Sequence, residues 1–329
     1  MNASKPKVFV IAEVGCNFED SFARAKEMIC AAAVSGADAV KFQTFIPELL
    51  VTKTAPKFWD IEGCPGETQF EEFNEMFQFS FEQYRELKEL AESNGLVFFS
   101  TPNDEQSADM LEKLNIPIYK ISSMDITHLP LIKHVAKKGK PVILSTGAST
   151  IAEIKDAVET TESVNNEKIT LLHCVTNYPT TIDNVNLGMI TDVKKAFPHC
   201  KVGYSDHTKM PYSKNIVTAA VALGATVIEK HFTFDRTRPG YDHEISADYN
   251  DLKDIVTSIH TTVKSIGADA TKKPILSEEK ARKWARRSVV AKMAIASGNI
   301  ISKDMLIIKR PGTGIPPKFW EDVVGKLAK

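Results

Sequence analysis

The sequence predicts an α/β protein, a closed parallel (β/α)8 barrel followed by a small C-terminal module. Short β-branched or apolar runs occur eight times, and an amphipathic stretch of helical period follows each one. Most strand-to-strand spacings fall between 20 and 35 residues, the length of a βα unit, so the pattern fits a TIM barrel. No Gly-x-Gly-x-x-Gly follows any of the runs, which places a doubly wound open sheet second.

The strands are expected at Val8 to Val14, Ala39 to Gln43, Val97 to Ser100, Ile118 to Ile121, Val142 to Leu144, Ile169 to Leu172, Val202 to Tyr204 and Val227 to Phe232. Each run is too short and too apolar to be a surface helix. Helices are expected at Phe22 to Ser35, Phe81 to Ser93, Ser107 to Leu114, Leu131 to Lys137, Thr150 to Thr160, Met189 to Phe197, Tyr212 to Leu223 and Asn250 to Ile266. The gap from Gln43 to Val97 holds an insertion. Its first half, with Trp59, Cys64 and Glu67, shows no clean period and reads as a long loop over one end of the barrel.

The barrel is assigned to residues 1–268, a linker to 269–285 and the module to 286–329. In the linker, Ser277 before Glu278 and Glu279 suits a helix N-cap. The module has strand-like Ser288 to Lys292 and a loop at Pro311-Gly312-Thr313-Gly314. A piece of that size has little core of its own and is expected to pack on its own barrel or on a partner subunit.

The 41 basic and 42 acidic side chains nearly cancel, so nothing favours nucleic acid or an acidic membrane surface. The strand-like Val8 follows Met1 too closely for a leader, and no run of eighteen apolar residues offers a membrane span. The cytoplasm is the expected compartment. The five cysteines form no CxxC and read as reduced thiols.

Function in such a barrel gathers at the C-terminal ends of the strands. Those ends read Glu13, then Lys41 and Gln43, Thr101, Lys120 with Ser122 and Ser123, Ser145 and Thr146, Thr176 and Tyr178, Ser205 and His207, and Lys230 with His231. Lys41 and Lys120 supply positive charge. Ser123, Ser145, Thr146 and Ser205 supply hydroxyl donors, and Gly147 lets backbone N–H groups approach an anion, so the set suits a phosphate.

His207 and His231 end consecutive strands, about 4.8 Å apart if the strands are neighbours, and read as a divalent-metal site with open positions. Mn²⁺, Co²⁺, Zn²⁺ and Mg²⁺ all suit two imidazoles. His173, inside an apolar run, reads as a hydrogen-bonded interior histidine. His128, His134, His199 and His260 read as surface or core residues without carboxylate partners. Asp242, in the charged loop after the eighth strand, could bond a sugar hydroxyl or position the ion.

Together, Ile11-Ala12-Glu13-Val14-Gly15, Lys41-Phe42-Gln43-Thr44-Phe45, Ser100-Thr101-Pro102, Tyr119-Lys120-Ile121-Ser122-Ser123, Leu144-Ser145-Thr146-Gly147, Gly203-Tyr204-Ser205-Asp206-His207-Thr208 and Glu229-Lys230-His231-Phe232-Thr233 resemble the sialic acid synthases. These are phosphoenolpyruvate-dependent nonulosonate synthases with a barrel and a C-terminal antifreeze-like (SAF) domain. The resemblance runs from about Val8 to the end of the chain.

It implies that Lys41, Thr101, Lys120, Ser123, Ser145 and Ser205 hold phosphoenolpyruvate and that His207 with His231 binds the metal, usually Mn²⁺. Gln43, Tyr178 and Asp242 would contact an N-acylated amino sugar, N-acetylmannosamine in an N-acetylneuraminate synthase or a relative of it in a legionaminate or pseudaminate synthase. Arg310 resembles the SAF-domain arginine that reaches the sugar in the partner's barrel, which implies a domain-swapped homodimer. Glu13 would position or deprotonate the attacking water, or assist at the sugar carbonyl. The departures fall on the sugar side: Cys16-Asn17-Phe18-Glu19 in the first loop, Thr176, and Tyr241 in place of a second proline. At Gly325 to Lys329 the chain stops where the family's SAF domain continues. A class I aldolase is the rival, with Lys120 or Lys230 as the Schiff-base lysine.

Overall fold

The structure, a computed structural model, describes residues 7–57, 63, 66–76, 78–267 and 271–329. Two compact units divide the chain, Met1–Ala268 and Asp269–Lys329. Trp59 and Cys64 fall outside the described residues.

The first unit is the expected barrel. Its strands are β1 (Phe9–Gly15), β2 (Ala39–Thr44), β3 (Val97–Pro102), β4 (Tyr119–Ile121), β5 (Val142–Ser145), β6 (Ile169–His173), β7 (Lys201–Asp206) and β8 (Val227–His231). All pairs are parallel, and β1 pairs with β8 to close the ring. Val10, Ile11, Ala12, Val40, Phe42, Leu144, Leu171 and Ile228 are buried, because a strand between a filled lumen and a layer of helices meets water on neither side.

The helices begin where side chains can satisfy their first free N–H groups. Ser21 caps Phe22–Ser35, and Asp104 caps Glu105–Lys113, two residues before the expected start. Reciprocal capping boxes join Ser80 to Gln83, Thr150 to Glu153 and Asp248 to Asp251. The insertion is more ordered than its sequence suggests. It carries two short helices, Pro47–Leu50 and Gln69–Glu75, the second started by a Thr68–Glu71 capping box.

Register places the chemistry. Glu13 pairs with Lys41 on one side and with His231 on the other. Gln43 pairs with Thr101, and Ser205 with Glu229. Residues on one rung and one face must meet, so the fold brings these side chains together before any loop is considered.

In the second unit, β9 (Ser288–Ala291) and β10 (Leu306–Lys309) form an antiparallel pair. Ser288 accepts from Gly314 N at 2.9 Å and donates to Pro311 O at 2.7 Å, which ties the expected loop to β9. Ser277 does not cap the helix Glu279–Trp284. A short 3-10 turn precedes that helix, and Glu278 instead accepts from Ile275 N at 2.9 Å. Among the described residues, no helix is long and apolar enough to cross a membrane.

Candidate active site at the mouth of the barrel

One cavity at the C-terminal ends of the strands is lined by the twelve barrel residues to which the resemblance assigns a role: Glu13, Lys41, Gln43, Thr101, Lys120, Ser123, Ser145, Tyr178, Ser205, His207, His231 and Asp242. Arg310 belongs to the second unit, exposed just after β10. Two strand-end expectations fail. Thr146 turns its hydroxyl to Leu172 O at 3.0 Å and does not line the cavity. Lys230 is buried against Asp206 Oδ2 at 2.7 Å and Thr208 O at 2.6 Å. Side chains alternate along a strand, so with Glu229 and His231 facing the lumen Lys230 points away from it.

Both remaining lysines sit in a carboxylate frame. Lys41 Nζ lies 2.8 Å from Glu13 Oε2, 3.0 Å from Thr101 Oγ1 and 3.8 Å from Glu229 Oε2. Lys120 Nζ lies 3.2 Å from Glu229 Oε1, which also accepts from Ser205 Oγ at 2.9 Å. Glu229 Oε2 has no hydrogen-bond partner among the described residues, whereas Glu13 Oε2 is held by Lys41. Glu229 thus leaves one acceptor oxygen in a residue that lines the cavity.

The two carboxylates divide their protons unequally. Burial pushes Glu13 up to about 7, with Lys41 opposing and Glu229 adding to the rise. Burial also acts on Glu229, but Lys120 and Lys41 outweigh it and hold that carboxylate down at about 2. Lys120 is lowered by burial, which Glu229 opposes. For Lys41 burial is outweighed by Glu13 and Glu229, so it is raised and stays an ammonium.

Hydroxyls complete this end of the cavity. Ser123 Oγ lies 3.0 Å from Cys174 Sγ and accepts from Gly147 N at 3.0 Å. Gly147 is required there, since a Cβ would meet Thr176 Cγ2 at 2.6 Å and Cys174 Sγ at 2.8 Å. Its N–H is spent on Ser123, not offered to an anion.

The imidazoles face each other with ring centroids 5.5 Å apart. His207 Nδ1 bonds Val175 O at 2.7 Å, which makes it the protonated nitrogen and leaves Nε2 as a free lone pair. Tyr178 stacks on the same ring at 4.2 Å. His231 Nδ1 is buried without a hydrogen bond, although Asp242 Oδ2 approaches to 3.3 Å. Burial pushes His207 down to about 4 and His231 well below the usual range. Two neutral imidazoles with an orphaned nitrogen fit a divalent ion. The described residues contain no group of three or more His, Cys, Asp or Glu in metal-binding geometry, so an ion there would take its other positions from water or substrate.

Other histidines behave as ordinary residues, with one correction. His173 Nε2 meets Val185 O at 2.9 Å, as expected of an interior histidine. His134 and His199 do have carboxylate partners, Asp109 at 2.6 Å and Glu162 at 2.9 Å, contributed by segments far away in sequence.

The chain matches the NeuB family over residues 28–271 and the SAF domain over residues 286–329. It belongs to the NeuB family. It is 39% identical to the N,N'-diacetyllegionaminic acid synthase of Legionella pneumophila, covering 99% of this chain and 93% of that protein. It is 35% identical to the pseudaminic acid synthase of Helicobacter pylori, covering 97% and 93%. A solved N-acetylneuraminic acid synthetase from Leptospira borgpetersenii superposes with a TM-score of 0.75 at 34% identity, covering 84% of this chain and 91% of that one. The resemblance read from the strand-end motifs is therefore borne out, and the chain is an enzyme of the sialic acid synthase family.

Proposed function

We propose that the enzyme condenses phosphoenolpyruvate with an open-chain N-acylated amino sugar and water, giving a nine-carbon 2-keto acid sugar and phosphate. The observation that carries this reading is the polarity of one cavity: Lys41 and Lys120 among serine hydroxyls at one side, two neutral imidazoles beside Asp242 at the other. That arrangement takes a trianionic small molecule next to a neutral, carbonyl-bearing one. The legionaminate, pseudaminate and neuraminate synthases among the relatives act within this substrate range.

Lys41, Lys120, Thr101, Ser123, Ser145 and Ser205 would hold the phosphate and carboxylate of phosphoenolpyruvate. A divalent ion, Mn²⁺ by preference, with Co²⁺ or Mg²⁺ as alternatives, would be held by His207 and His231 and would supply Lewis-acid polarisation of the sugar aldehyde. Gln43, Tyr178 and Asp242 orient that sugar. C3 of phosphoenolpyruvate attacks the aldehyde carbon, water adds at C2, and the tetrahedral adduct expels phosphate by C–O cleavage. Glu13, poised near neutrality, is suited to take the proton of that water.

The module fits a role at a partner's barrel, as a domain-swapped homodimer would require. Leu276, Trp284, Ile300 and Leu327 are more than half exposed, more apolar surface than so small a unit leaves uncovered. Arg310 would enter the sugar end of the partner's site.

Chelation against borohydride trapping separates this reading from a class I aldolase. The synthase loses activity on chelation and regains it with Mn²⁺; covalent trapping of a carbonyl substrate on Lys120 would overturn the reading.

A further inference from the structure

Asn17 lies in the loop between β1 and the helix Phe22–Ser35, is 2% exposed and does not line the cavity. Its side-chain amide nonetheless uses both its donors and its acceptor. Nδ2 donates to Phe232 O at 3.0 Å and to Ser246 Oγ at 2.9 Å, and Oδ1 accepts from Asp242 N at 3.1 Å. Phe232 O can only accept and Asp242 N can only donate, so these partners fix which way the amide points.

The bonds close a ring. Ser246 Oγ, which accepts from Asn17, donates to Asp242 O at 2.6 Å. Both backbone polar groups of Asp242 are therefore held by one buried amide, directly at the N–H and through Ser246 at the C=O. The remaining bond runs to Phe232, the residue after His231. Asn17 thus joins the backbone of Asp242 to the backbone beside His231, and the side chains of those two residues approach to 3.3 Å at the cavity.

We propose that Asn17 is a positioning residue for the sugar end of the site, setting the separation of Asp242 and His231 without touching a substrate. This rests on the synthase reading above. No near relative of asparagine reproduces the set: aspartate keeps the acceptor and loses both donors, alanine loses all three, and glutamine carries its amide one carbon farther out. A second hold on the loop after β8 does not pass through Asn17. Glu19 Oε1 lies 3.1 Å from His243 Nε2, and Glu19 also pairs with Arg24 at 2.7 Å and with Arg238. That hold keeps the loop attached when Asn17 is replaced.

The test is steady-state phosphate release with N-acetylmannosamine or its 2,4-diacetamido relative, whichever the wild type turns over, together with calorimetric Mn²⁺ binding, for Asn17→Ala, Asn17→Asp and a control, Asn166→Ala. Asn166 is equally buried, but its amide donates to Ala136 O and Lys140 O ahead of β5 and β6, at the opposite end of the barrel. Both Asn17 variants should lower kcat/KM for the sugar and the Mn²⁺ affinity by about 10–100-fold, with the KM of phosphoenolpyruvate unchanged. Asn166→Ala should lower the thermal midpoint and leave both KM values as they were. Wild-type sugar kinetics in the Asn17 variants, an equal loss for sugar and phosphoenolpyruvate, or the same sugar loss in Asn166→Ala overturns the positioning role and leaves the synthase reading standing. A wild type that turns over no amino sugar overturns both.

Discussion

Lys120 on β4 and Glu229 on β8 meet at 3.2 Å, an ion pair between strands four places apart in an eight-membered ring. The contact therefore crosses the lumen and braces the floor of the site. Glu229 reaches Lys41 and Ser205 as well, so one carboxylate sets the positions of three groups that face the cavity.

Replacing Glu229 by Gln should strip the buried Lys120 ammonium of its carboxylate, while Lys41 keeps Glu13. Breaking one member of a buried pair costs about 3–5 kcal/mol, and the amide recovers part of it through Ser205. Urea unfolding at neutral pH should show a loss of roughly 1–3 kcal/mol, with a lower kcat. Unchanged stability would mean that the brace carries nothing.

The Asp206–Lys230 pair lies outside the lumen and has a different consequence. Both side chains are fully buried, and Asp206 also accepts from Thr208, Ser213 and Tyr204. Asp206→Asn should destabilise the fold by about 3–5 kcal/mol and loosen His207 and His231, one residue away on each strand. The expected sign is weaker metal binding by calorimetry at a temperature where the variant remains folded. Metal affinity equal to wild type would remove the positioning role.

Glu13 gives a pH signature. Its folded pKa, about 7, lies above the ordinary carboxylate value of 4.5, so the folded state binds the proton more tightly. Its contribution is fully present below pH 4.5, is lost as pH rises through about 7, and therefore lowers stability across that window. Without substrates or metal, Glu13→Gln should flatten the fall. A variant with the wild-type pH slope would contradict the assignment.

Subunit exchange tests the second unit. Lys120→Ala and Arg310→Ala should each be nearly inactive, and mixing them should restore activity, because a heterodimer pairs an intact barrel with an intact arginine. Failure to complement, or a fully active monomer by light scattering, would remove Arg310 from the site.

Much of this was legible in the sequence, because strand ends report both position and chemistry. Glu229 was not singled out, although the signal was present. Alternation from His231 places Glu229 on the lumen face and Lys230 on the other, so the same rule that finds one residue dismisses its neighbour. Asn17 had no such signal, since a loop between strand and helix leaves no face to read. The partners of His134 and His199 come from distant segments, which no local pattern reveals. Thr146 and Gly147 looked like anion donors at a strand end, but Thr146 donates to Leu172 O on β6 and Gly147 N to Ser123 after β4.

Phosphate release from phosphoenolpyruvate, measured with Mn²⁺ across N-acetylmannosamine, its 2,4-diacetamido relative and the pseudaminate precursor, tests the central claim most directly. The account predicts release that requires a suitable sugar and matches the 2-keto acid formed. Release without sugar, or none across the whole panel, would contradict it.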